Sequence, residues 1–184
     1  LFPGTNRERL PPTKRSDITV LQQSFDVQPM IQNQAQCIHV MTYNEYGQAL
    51  DAGYSPENLT IFNYSELGND LLEDGLYVME DTLADPAKVD AYTRFVRASM
   101  KGWQYALENP DEAAQIVVDS DETGAATLDH QTYMMGEVAK LVDPNDAALD
   151  MATYERTVKA LVDQKIISKA PEGAYSTVVT DALK

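Results

Sequence analysis

The chain has 184 residues, 43% of them hydrophobic, enough apolar matter for one good core or two small ones and too much for a disordered polypeptide. A formal charge of -15 and a pI near 4.3 exclude nucleic acid and an anionic membrane as partners, since both would repel it. A single cysteine, Cys37, excludes an internal disulfide or a multi-cysteine zinc site, and its apolar neighbours predict a small buried side chain.

In chain order, residues 1–16 come first and differ from the rest. LFPGTNRERLPPTKR holds four of the fourteen basic side chains and one acid, with three prolines and no apolar period, which predicts an irregular arm without a function of its own. From Ile18 the pattern changes. ITVLQQSF reads as a strand, and DVQPMIQNQ as a short helix with Asp26 as its cap and Pro29 in its first turn. CIHVM is a second strand, followed by a helix over NEYGQALDAG that Gly53 can end. LTIFNY and GLYVM complete four strands. Strand and helix alternating at this spacing predict parallel pairing through right-handed crossovers, hence an α/β lobe over 17–80.

The region 81–184 reads as helical. PAKVDAYTRFVRASMKGWQYALENP sets Val89, Tyr92, Val96, Trp103 and Leu107 on one face and ends at Pro110. Asn109 and Pro110 open the next helix, with Asp111 and Glu112 near its positive end. Two more follow over about 128–142 and 150–165, the second turning Met151, Tyr154, Val158, Leu161 and Val162 inward, and the tail KIISKAPEGAYS reads as irregular. Nothing approaches the roughly 18 uncharged apolar residues of a membrane helix, and the amino terminus lacks the order of a secretion signal. Either the protein is cytoplasmic or its signal lies outside this chain.

Ligands of a parallel sheet bind beyond the carboxyl ends of the strands. The first strand delivers Gln22, Gln23, Ser24 and Asp26 to that rim, and the second delivers Thr42, Tyr43, Asn44, Glu45 and Tyr46. A tyrosine face, a carboxylate on a solvent-facing rim and amide or hydroxyl groups suit a flat polar heterocycle, since a carboxylate can take paired hydrogen bonds from a protonated aminopyrimidine edge. The plainer alternative is that Asn44 caps a helix, Glu45 favours its first turn and the tyrosines pack. His39, within the second strand, reads as a packed or surface imidazole and not a catalyst, His130 lacks a second histidine or cysteine at ligand spacing, VVDSDET lacks the glycine and spaced oxygens of a calcium loop, and no nucleophile elbow or glycine-rich phosphate loop is present. Tyr92, Phe95, Trp103 and Tyr105 stand at helical spacing, which predicts packing. No catalytic residue, metal or cofactor is expected.

QQSFDVQPMIQNQAQCIHVMTYNEYGQALDAGY, LGNDLLEDGLYVMEDTL, RFVRASMKGWQYALENPDEAAQIVV and YERTVKALVDQKIIS together resemble the ABC-transporter solute-binding proteins related to fungal thiamine-pyrimidine synthases. MTYNEY and KGWQYALENPDEA are the most specific pieces. The resemblance implies a type II periplasmic-binding-protein-like fold, two hinged α/β lobes that close on a solute. It is present here as an incomplete copy with one small sheet lobe and a helical region returning toward the other. It implies thiamine-pyrimidine precursors or riboflavin as solutes, or sulfonate or nitrate in wider relatives. It also implies an ABC permease as partner, a monomeric state and a periplasmic or cell-surface location, with Thr42, Tyr43, Asn44, Glu45, Ser24 and Asp26 at the cleft. The family segment supplying aromatic residues to the other wall has no counterpart, so the chain is expected to be a carboxyl-terminal portion. A synthase-like enzyme of the same superfamily is the alternative, although the cysteine-rich iron motif of that group is missing.

Overall fold

Proline and asparagine punctuate the longest helical run. Pro86 opens a helix whose first turn is capped by Asp85, its carboxylate accepting from Ala87 N–H at 2.9 Å, and Pro110 opens the next, with Asn109 between the two. The computed structural model describes residues 17–184. In chain order the helices are α1 (Gln28–Ile31), α2 (Glu45–Asp51), α3 (Pro86–Glu108), α4 (Pro110–Ser120), α5 (Leu128–Val138), α6 (Met151–Asp163) and α7 (Val178–Asp181), with a 3-10 turn over Glu80–Ala84. Gly53 follows α2 with φ +91°, a left-handed conformation that only glycine adopts freely. The irregular arm expected over 1–16 lies outside the described residues.

Among the described residues there is no β-strand. This overturns the α/β class and the parallel sheet lobe expected over 17–80. The four stretches expected as strands make no backbone ladder with one another. The physical reason is that a strand is a relation between two segments: apolar, β-branched runs favour extended backbone, but only paired N–H and C=O groups make a sheet. One substitute rung exists. The Gln23 carboxamide donates to the His39 carbonyl at 2.8 Å and accepts from His39 N–H at 3.1 Å, holding the first two stretches side by side. The side chains a sheet would bury stay in solvent, with Val20 78% and Tyr77 83% exposed. Cys37 is also exposed, against the expectation of burial, because the second stretch has no sheet neighbour to cover it.

Packing is carried by the helices. Val27, Ala49 and Ala114 are the buried apolar residues among those described, and no large side chain is fully enclosed. α4 and α5 form the most closely packed helix pair, α2 rests on α5, and α7 rests on α3. α6 is tied to the preceding irregular segment by Arg156, whose Nε donates to the Asp70 carbonyl at 2.9 Å and whose Nη2 meets the Asp70 carboxylate at 3.0 Å. Thr157 adds a bond from Leu72 N–H at 2.9 Å. The inward face expected for α3 is only partly so: Val89, Tyr92, Val96 and Leu107 are half-buried, whereas Trp103 is 42% exposed. Phe95 and Tyr105 are also exposed rather than packed, and on α6 Met151 is exposed while Tyr154, Val158, Leu161 and Val162 are half-buried.

Candidate functional site

The polar run Thr42–Glu45 leads directly into α2, and its side chains close a network around that helix start. Glu45 is only 5% exposed. Its carboxylate folds back over the turn, with Oε2 accepting from Met41 N–H at 2.9 Å and Oε1 accepting from Asn44 Nδ2 at 3.1 Å. Glu45 therefore lies inside the turn instead of on an open rim. Asn44 stands at the cap position without capping by its side chain. Its Oδ1 accepts from Gln48 Nε2 at 3.1 Å and pairs with His130 Nε2 at 3.0 Å.

The segment carrying Ser24 and Asp26 lies beside this network. Gln48 Nε2 also donates to the Phe25 carbonyl at 3.2 Å, and Gln23 Nε2 reaches the Asp26 carbonyl at 3.1 Å. Side-chain amides thus bridge the two polar segments where strand pairing was expected to. Asp26 is half-buried and its Oδ1 accepts from Gln28 N–H at 2.8 Å, which starts α1. Ser24 is exposed and enters none of these bonds. Thr42 contributes its carbonyl, which accepts from the Tyr133 hydroxyl at 2.6 Å.

Burial raises the Tyr43 phenol above the usual tyrosine value, and the negative charges of Glu73, Asp74 and Glu45 raise it further. The phenol therefore stays neutral at physiological pH, an aromatic face surrounded by carboxylates. Glu73 and Asp74 are site neighbours that the sequence did not single out.

α5 closes the other side. Its Tyr133 ring lies against α2 at Gly47, where a Cβ would stand 2.6 Å from Tyr133 Cδ1, so the absence of a side chain is what lets the two helices meet. His130 is stacked with Tyr133, ring centroids 6.2 Å apart, and its Nδ1 faces the Asp51 carboxylate at 3.7 Å. Sequence reasoning weighed His130 only as a metal ligand. Its partner Asn44 is 86 residues away, and no local pattern announces such a contact. Among the described residues no group of three or more His, Cys, Asp or Glu is placed to hold a metal ion.

The family model described as NMT1/THI5 like matches residues 13–113, more than half of the chain. The chain belongs to the NMT1/THI5-like family. Neither the curated proteins nor the solved structures contain a match to it. Family membership narrows its role to a solute-binding or synthase-like one. The matched span includes every site residue expected from the sequence and stops within α4, so His130 and Tyr133 lie beyond it. A separate groove of about 430 Å³ on this NMT1/THI5-like chain runs along α6, lined by Tyr154, Val158, Val162, Ala170 and Pro171. Its walls are apolar, and two of its rim charges, Lys159 and Asp163, pair with each other. The Asn44 network is therefore the better candidate, having convergent donors and acceptors.

Proposed function

We propose that the protein captures a small, flat, polar heteroaromatic solute of the aminopyrimidine kind, without covalent chemistry, for delivery to an ABC permease outside the cytoplasm. The observation that carries this reading is the convergence of Asn44 and Glu45 with the Phe25 carbonyl through the Gln48 bridge, beside Tyr43. The Tyr43 face and the Asn44 amide, the latter held in place by the enclosed Glu45 carboxylate, match a flat heterocycle bearing ring acceptors. Glu45, Glu73 and Asp74 around Tyr43 disfavour a plain anion such as nitrate or a sulfonate. They favour a neutral or protonated ring.

A thermal-shift and calorimetry panel of 4-aminopyrimidine, riboflavin, taurine and nitrate tests this reading. An aminopyrimidine at a hundredfold excess over its dissociation constant adds about 2.7 kcal/mol of stability. A shift with taurine or nitrate and none with the heterocycles would overturn it, and turnover of the added pyrimidine would favour the synthase-like alternative.

A further inference from the structure

The hydrogen bonds around Asn44 run in one direction only, and that direction limits what the site can read. Two members can accept but never donate. These are the Phe25 carbonyl at one end and the Glu45 carboxylate at the other, which already accepts from the Met41 backbone N–H. Gln48 must point its Nε2 at Phe25, and the same NH2 group then donates to Asn44 Oδ1. Asn44 must point its Nδ2 at Glu45, which also leaves Oδ1 toward His130. The His130 ring nitrogen at 3.0 Å is therefore the donor, and the imidazole carries its proton on Nε2.

We infer that His130 is the positioning residue that, with Gln48, fills both lone pairs of Asn44 Oδ1, so that Asn44 meets a solute as a hydrogen-bond donor only. One of its Nδ2 protons goes to Glu45, and the second meets no acceptor among the described residues, on a half-buried side chain. A carboxamide normally offers an acceptor as well. Here that face is occupied. The solute must bring an acceptor to this position, a ring nitrogen or carbonyl oxygen, and an amino group placed there finds nothing to accept its proton. This rests on the solute-binding reading above and specifies what that site selects.

The arrangement also gives His130 a reporter that needs no solute. The titratable groups facing its ring are Asp51, across 3.7 Å at Nδ1, and Tyr133, stacked on its face, with Glu45 next along through Asn44.

The test uses the full chain and its His130→Leu and His130→Gln variants, glutamine being able to put an amide donor near the position of Nε2. In the free protein, NMR of the His130 ring nitrogens should find the proton on Nε2, and the Asn44 side-chain amide signal should move in His130→Leu and return toward its native position in His130→Gln. By calorimetry, 4-aminopyrimidine, which has ring acceptors, should bind at least about tenfold more tightly than aniline, which has only the amino donor. That preference should fall to within about twofold in His130→Leu and return in His130→Gln. Equal binding of the two probes, or a preference untouched by His130→Leu, overturns the inference. If neither probe binds, the aminopyrimidine reading fails and the NMR arm decides: a ring proton on Nε2 sustains the role of His130, and a proton on Nδ1 alone overturns it.

Discussion

Glu45 shows how one side chain's surroundings set its role. On an exposed rim its carboxylate would be free for a ligand and its removal harmless to the fold. Enclosed as it is, the carboxylate satisfies Met41 N–H and holds the Asn44 amide. In Glu45→Gln, the NH2 group would face one of those two donors, leaving a buried mismatch worth about 1 to 3 kcal/mol. Urea denaturation is expected to show that loss, together with weaker solute binding. A fully stable variant would mean that the carboxylate is not enclosed.

At the scale of elements, the α4–α5 hairpin turns on Asp121. Its carboxylate accepts from the Thr123 hydroxyl at 2.6 Å, Ala126 N–H at 2.6 Å and Thr123 N–H at 2.8 Å. These bonds, led by that from the Thr123 hydroxyl, hold its pKa down at about 2 from an ordinary 3.8. A carboxyl with a depressed folded pKa stabilises fully above its unfolded value and loses that contribution as pH falls through the folded one. The stabilisation from this turn is therefore intact above pH 3.8 and disappears toward pH 2. An NMR titration of the Asp121 carboxyl carbon should place its midpoint near 2. A midpoint at the ordinary aspartate value would mean that the turn is open in solution. α3 carries a second expectation. With Trp103 42% exposed, Trp103→Ala should cost below about 1 kcal/mol, far from the roughly 3 to 5 kcal/mol of an enclosed tryptophan. A larger loss in thermal denaturation would show that this helix face is covered in solution.

For the whole molecule, surface is the dominant fact. The accessible area is 14860 Å², whereas a folded monomer of 20.4 kDa exposes about 8,800 Å². Among the described residues few side chains are enclosed, and the exposed apolar ones cluster in the stretches Ile18–Phe25 and Ile61–Met79. A radius of gyration clearly above the roughly 16 Å of a compact chain of this length is expected from small-angle X-ray scattering. A value at 16 Å would require those stretches to be packed away.

The helices α3, α4 and α6 were legible in the sequence because their signals are local. Pro86, Pro110 and Asp150 mark starts, and apolar residues recur every three or four positions within one segment. The MTYNEY stretch was legible as a polar cluster for the same reason. Its chemistry was not, because it depends on groups far along the chain: Gln48 reaching back to Phe25, and His130 arriving from α5 at Asn44. The sheet failed for the related reason that the Ile18 and Ile61 stretches carry a strand's composition while pairing is a property of two segments together. The sequence by itself determined the longer helices of this protein and marked MTYNEY as a polar cluster. Tertiary structure alone decided that Glu45 is enclosed, that no sheet forms among the described residues and that a histidine orients Asn44, because burial and hydrogen-bond direction depend on neighbours in space.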